Sequence, residues 1–338
     1  MPADRPIVCF GEILLRLSAP AGIGLSHTDA LSVSVGGAEF NVAAALSALG
    51  HGTRMVSVLP DHAIARRARA ELAVAGVDAR YLTERAGRMG LYFADPPSGP
   101  MPGWVIYDRA DSAFAKVDPA ELALKDALRD ARLLHLSGIT PALGPHGIAL
   151  AKAAMAAAQV AGVPVCFDGN YRAKLWESWD SNPQATLRDC LASAAILIGN
   201  HRDIGLVLGQ TFAGTEEERE AAAADAAFAA FPDLQLIAST NRTVETTARH
   251  RLSARVATRD DSFRTPRIVV DPVVDRIGTG DAFAAGVLLY WAEDGTVRQM
   301  AEAGLALMAM KHGVPGDTIQ VSRADLEAFD PVASDFNR

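Results

Sequence analysis

At 338 residues, 49% of them hydrophobic, the chain is long enough to bury one large core. Its net charge of −8 argues against a surface built for nucleic acid or anionic lipid, both of which want clustered Lys and Arg. Cys9, Cys166 and Cys190 are too scattered for a disulfide framework or a Cys-x-x-Cys metal site, no apolar run is long enough to cross a bilayer, and Met1–Phe10 lacks a basic-then-apolar leader, so the expected compartment is the cytoplasm.

In chain order, short apolar runs alternate with alanine-rich stretches of helical spacing. Ile7–Phe10 reads as a first buried strand. Ile13–Ser18 and Leu31–Val35, joined by a loop rich in Gly and Pro, read as a hairpin-like ribbon outside the main sheet. Val35-Gly36-Gly37-Ala38-Glu39-Phe40-Asn41 follows as a strand, a glycine pair and a helix over Asn41–Leu49 closed by Gly50. The glycine pair gives close backbone access, and Asn41 offers a polyol both a donor and an acceptor, or else merely caps its helix.

Met55–Leu59 is the next strand and Ala63–Ala75 the next helix, whose Arg66, Arg67 and Arg69 form a solvated face. Gly90–Ala94 with Trp104–Tyr107 makes a second ribbon. Strands at Leu133–Leu136, Val163–Phe167, Ile196–Ile198 and Leu234–Ile237 then alternate with helices at Gly147–Ala161 and Glu216–Phe231, and Val256–Thr258 and Ile268–Val270 read as late strands. Such alternation calls for one α/β domain over 1–338, with a mainly parallel sheet covered by helices on both faces and ligands at the carboxyl ends of its strands.

The densest chemical signal is Asp275-Arg-Ile-Gly278-Thr279-Gly280-Asp281, which sets a carboxylate in a glycine-bounded turn where an apolar helix begins. The unpaired N–H groups of a helix's first turn point at an anion. Asp281 would be repelled by that anion unless its task is to take a proton from the hydroxyl that attacks it. Read alone, the turn could equally be an aspartate favouring the positive end of a helix dipole.

Together, Gly36-Gly37 with Asn41 and Gly278-Thr279-Gly280-Asp281 resemble the paired motifs of the PfkB, or ribokinase-like, family of carbohydrate kinases. The resemblance implies a ribokinase-like three-layer α/β/α fold with a small β-sheet lid from about 12–35 and 88–110, closing over the sugar and used for homo-oligomer contacts. It implies ATP and Mg²⁺ as cofactors, Gly36, Gly37 and Asn41 around the sugar, Asp281 as catalytic base, and Gly278, Thr279 and Gly280 in the anion hole. Thr279 adds a hydroxyl that could reach a phosphate.

Within the family the likeness is to kinases of 2-keto-3-deoxygluconate, carried by Gly90-Leu-Tyr92, Tyr107-Asp-Arg109, Leu134-His-Leu-Ser-Gly138, Phe167-Asp-Gly-Asn-Tyr171-Arg172 and Lys311-His-Gly313-Val-Pro-Gly316-Asp. It implies Tyr92, Tyr107, Arg109 and Arg172 around a carboxylate-bearing substrate, since a guanidinium fork matches that group. Either arginine could instead pair internally, with Asp108, Asp111 or Asp168 near in sequence. The expected reaction is phosphorylation of the acid at its C6 hydroxyl; another sugar kinase of the family, such as a fructokinase, or a sugar-sensing homologue are the alternatives.

On the nucleotide side, Asn200-His-Arg-Asp203 is similar to an Asn-x-x-Glu motif that organises Mg²⁺ and its waters, with Asp203 in place of Glu; a capping Asn with a first-turn Asp is the structural alternative. Ile237-Ala-Ser-Thr240-Asn-Arg242 departs further: where most of the family has a strand followed by a glycine-bearing turn, there is none. Thr240 and Arg242 are expected at the phosphates, and Gly313 near the adenine.

Overall fold

The structure, a computed structural model, describes residues 5–331. Its strands are β1 Ile7–Phe10, β2 Leu14–Ser18, β3 Ser32–Gly36, β4 Thr53–Leu59, β5 Leu82–Glu84, β6 Gly90–Asp95, β7 Trp104–Asp108, β8 Leu133–Ser137, β9 Val165–Asp168, β10 Ile196–Ile198, β11 Leu236–Thr246, β12 Arg249–Thr258, β13 Ser262–Arg264 and β14 Ile268–Val270. The large sheet runs β13-β12-β11-β10-β9-β8-β1-β4-β5, with β14 also on β12. Pairing is parallel from β11 to β5 and antiparallel from β11 outward.

Both faces of this sheet are covered, as the continuous apolar runs demand. In β1, Ile7 and Cys9 join the core on one face and Val8 and Phe10 the core on the other, which is the two-residue alternation of a strand buried on both sides. The helices Ala38–Ala48, Ala63–Val74, Thr279–Ala292 and Val297–His312 supply the first face. Pro145–Ala161, Pro183–Leu191 and Glu216–Ala230 supply the second. Cys9, His135 and Cys166 stand side by side on β1, β8 and β9, all fully buried. The thiols are free, and burial holds the His135 imidazole down to about 4, although among the described residues neither ring nitrogen finds the partner a core histidine usually has.

The ribbons form a separate four-stranded sheet, β3-β2-β6-β7, whose two antiparallel hairpins are joined by parallel pairing of β2 with β6. Most elements sit within two residues of their expected bounds; β11, β12, which begins at Arg249 instead of Val256, and the helix Ala38–Ala48, which begins three residues early, do not. Expected to end at Ile237, β11 continues to Thr246 because β12 pairs with it over its whole length, from Leu236↔Thr258 to Thr246↔Arg249. Where a glycine turn was looked for, an antiparallel hairpin stands.

Candidate active site

The carboxyl ends of β8 to β11 open on one cavity of about 610 Å³, and the start of the helix Thr279–Ala292 and the small sheet complete its wall. Asp281 lies there, 9% exposed, in the first turn of that helix. The helix is apolar all round and its buried packing fixes the turn in place. Gly278 begins it with φ 78, and a Cβ at that position would stand 1.9 Å from the carbonyl oxygen of Asp317, so only glycine fits.

No side chain caps this helix end, and the first intrahelical bond is Ala282 N–H to the Gly278 carbonyl. The N–H groups of Thr279, Gly280 and Asp281 therefore have no intrahelical acceptor and are available to an anion. The Thr279 hydroxyl is not: it donates to the Arg276 carbonyl at 2.9 Å, which corrects the expectation that it reaches a phosphate. Thr279 contributes its backbone instead.

Asn41 comes from the opposite side, donating its amide to one Asp281 carboxylate oxygen at 2.6 Å. Burial pushes the Asp281 carboxyl up to about 7 against the opposing effects of that hydrogen bond and of Arg172. Among the described residues the second oxygen has no cationic partner within ion-pair distance, and the buried Asn41 carbonyl oxygen has no hydrogen-bond partner. A base poised near neutrality, with a neutral orienting amide beside it, is suited to proton abstraction from an alcohol.

Of the glycine pair, Gly37 lines the cavity and Gly36 does not. Gly36 is glycine because a Cβ there would meet the Asp317 carboxylate at 2.2 Å, and Gly37, at φ 142, because a Cβ would meet the Glu12 carbonyl at 2.3 Å. The pair thus admits neighbouring protein groups at least as much as a ligand. Asp317 and Tyr92 both face the cavity, joined by the Tyr92 hydroxyl donating to the carboxylate at 2.5 Å. Arg16 holds the other Asp317 oxygen at 3.0 Å, an ion-pair contact without hydrogen-bond alignment, and binds Asp275 at 2.8 Å. Tyr107 stands beside Tyr92, ring centres 6.4 Å apart.

The two arginines part company. Arg172 faces the cavity, and among the described residues no carboxylate pairs with it. Arg109 does not reach the cavity: it is buried and gives Nε and Nη2 to one Glu12 oxygen at 2.8 and 2.6 Å, while Ser112 occupies the other. The carboxylate-binding role expected of Arg109 is therefore corrected to an internal ion pair, with a partner none of the nearby aspartates suggested. Gly313 is likewise outside, exposed at the end of the helix Val297–His312.

The nucleotide-side residues do converge. Asn200, Asp203, Thr240 and Arg242 line the cavity, with Asp168 and Arg276. Asn200 and Asp203 also form a capping box: the Asn200 side chain accepts from Arg202 N–H and the Asp203 carboxylate from Asn200 N–H, each at 2.8 Å. Burial raises the Asp203 carboxyl, and it raises Asp168 further with the added charges of Asp281 and Asp203. With the charges of Asp281 and Asp203 both acting on Asp168, these cavity-facing carboxylates form a donor set a dication would relieve. Among the described residues no three His, Cys, Asp or Glu close to a direct ligand cage. That fits an ion such as Mg²⁺, which retains waters and shares phosphate oxygens.

Arg276, Asp317, Arg16 and Glu12 escaped the sequence reading, and Asp168 entered it only as a possible internal partner for an arginine. Arg276 and Asp317 lay inside motifs already singled out; the Arg16 and Glu12 contacts join residues some 97 to 301 positions apart and left no local signal.

A sequence profile described as the pfkB family of carbohydrate kinases matches residues 4–323. The chain is similar to a 2-dehydro-3-deoxygalactonokinase of Haloferax volcanii, 33% identical over 321 residues and 95% of each chain. It is similar to a 2-dehydro-3-deoxygluconokinase of Bacillus subtilis, 27% identical over 92% of this chain and 90% of the other. Among solved structures, a 2-dehydro-3-deoxygluconokinase of Thermotoga maritima superposes with a TM-score of 0.90, at 32% identity over 96% and 97% of the two chains.

Proposed function

We propose, on the premise that this chain belongs to the pfkB family of carbohydrate kinases, that it transfers the γ-phosphoryl group of ATP to the C6 hydroxyl of 2-keto-3-deoxygluconate. The observation that carries this reading is Asp281, placed in an uncapped helix turn with one oxygen held by Asn41 and the other open to the cavity. Asp281 takes the hydroxyl proton as the C6 oxygen attacks phosphorus. The bond from phosphorus to the β–γ bridging oxygen breaks, ADP leaves, and 2-keto-3-deoxy-6-phosphogluconate forms. Backbone N–H groups of Thr279, Gly280 and Asp281 hold the charge on the transferred group.

At the sugar end, Asp317 and the Asn41 carbonyl accept from hydroxyls, Gly37 allows close approach and Tyr92 and Tyr107 wall the ring or chain. Arg172 meets the carboxylate, alone, since Arg109 is committed to Glu12. Asn200, Asp203 and Asp168 would hold Mg²⁺ through water; when bound it screens the phosphate oxygens from the incoming nucleophile. The small sheet acts as the lid, and its edge strand β7 leaves Trp104 and Ile106 more than half exposed on one face, the surface this reading gives to a second copy of the chain.

The test is ADP release with 2-keto-3-deoxygluconate, its C4 epimer, fructose and ribose side by side. Highest kcat/KM on a keto-deoxy acid supports the reading. Preference for fructose or ribose overturns the substrate, and sugar binding without ADP release overturns the reaction.

A further inference from the structure

We propose that Arg276, with Arg242, clamps the donor's phosphates from two sides, so that a pair of guanidinium groups stands in for the missing glycine turn after Thr240. The inference rests on reading the start of the helix Thr279–Ala292 as the phosphoryl-transfer site.

Its geometric basis is where the two side chains start and what they lack. Arg242 projects from β11 because that strand continues, in register with Leu252 of β12, through the segment where a turn was expected. Arg276 lies two residues before Gly278, on the chain that leads into the uncapped helix end. Both line the cavity that holds Asp281, with the free N–H groups of the helix start. Among the described residues neither guanidinium makes an ion pair, whereas the buried arginines Arg16 and Arg109 are both neutralised by carboxylates.

The local field agrees. Both side chains are solvent-exposed at the cavity wall; partial desolvation by that wall disfavours the Arg242 charge, and the charges of Arg276 and then Arg172 add to that. His250 on β12 is kept below the ordinary imidazole range by burial, then by Arg242 and Arg276. Clustered like charges at a cavity wall, even where water reaches them, raise a positive local potential that draws in a ligand of opposite sign. One carboxylate, already provided for by Arg172, cannot match two further guanidinium groups; a chain of phosphates can, through charge-assisted and bidentate hydrogen bonds.

The experiment measures binding, with no sugar and no turnover. Inorganic tripolyphosphate and ATP are titrated by calorimetry into wild type, Arg276→Gln, Arg242→Gln, Arg276→Lys and, as control, Arg251→Gln, which alters an exposed arginine of the same hairpin already paired with Glu245. Arg276→Gln and Arg242→Gln are each expected to weaken both ligands by roughly 10-fold or more, the scale of a charge-assisted hydrogen bond, Arg276→Lys by less, and Arg251→Gln hardly at all. Wild-type affinity in Arg276→Gln overturns the clamp, as does an equal loss in Arg251→Gln, which would reduce the effect to net charge. If wild type binds neither ligand, both the clamp and the phosphoryl-transfer reading fail; if it binds both and Arg276→Gln matches it, the clamp alone fails.

Discussion

The two ends of the cavity treat charge in opposite ways. At the sugar end, Arg16 is held by Asp275 and Asp317 and Tyr92 donates to Asp317, while Arg109, outside the cavity, is held by Glu12. At the phosphate end, Arg242 and Arg276 face the space without a carboxylate partner among the described residues, and the charges of Asp281 and Asp203 both act on Asp168. A ligand of hydroxyls needs acceptors held at fixed positions, and internal ion pairs hold them. A ligand that brings several negative charges and a dication needs charges of both signs left open. The difference between the ends is thus a difference in what is expected to arrive.

The sharpest way to break that contrast is at the boundary. Asp281→Asn is expected to lower kcat by at least ~10²-fold, the lower range for a positioned base, with KM for sugar and ATP changed little. In wild type, kcat/KM should fall about tenfold per pH unit below about 7, since the base must be deprotonated to act, and this slope should vanish in the variant. Stability carries the opposite sign. A carboxyl raised by burial makes the folded state bind the proton more tightly, so its contribution is full below the ordinary carboxylate range and is lost as pH rises through about 7. Asp281→Asn should therefore melt higher than wild type at pH 8 and show little gain at pH 4. Wild-type turnover in the variant would falsify the base assignment.

Next in size are the two arginines once expected to act alike. Arg109→Ala leaves Glu12 buried and uncompensated, so it should cost about 3 kcal/mol in denaturant unfolding. KM for the sugar acid should barely move in the molecules that remain folded. Arg172→Ala should do the reverse, with stability within about 0.5 kcal/mol of wild type and KM for the acid up about tenfold. An uncharged sugar should be affected less. If Arg109→Ala raised KM while stability held, Arg109 would share the carboxylate with Arg172 after all.

What could be read in advance divides along the same line. The sheet, its flanking helices and the small-sheet ribbons follow from periodicity, because burial on both faces of β1, β8, β9 and β10 forces continuous apolar runs. Asp281, Asn41, Arg172, Asn200 and Asp203 were singled out in advance because each sits in a local motif, and each of those motifs meets the cavity. Arg109 and Gly36 misled because the groups that claim them, Glu12 and Asp317, come from distant segments. Thr279 misled because its hydroxyl finds an acceptor three residues back. The long β11–β12 hairpin was missed since polar residues such as Asn241 and Arg242 lower strand propensity, while complete pairing with β12 overrides it.

The smallest test probes how firmly the paired end must be held. Tyr92→Phe keeps the ring that walls the cavity and removes only the hydroxyl that donates to Asp317. Asp317 then keeps Arg16, whose contact lacks hydrogen-bond alignment, so the carboxylate gains freedom without losing its counter-charge. One net hydrogen bond is about 1 kcal/mol, or roughly a fivefold change in an equilibrium. KM for the sugar acid is accordingly expected to rise a few-fold, with kcat and KM for ATP unchanged in steady-state kinetics. A matching rise in KM for ATP would mean that the ends are not separate, because a loosened sugar acceptor would then be disturbing the phosphate grip across the cavity.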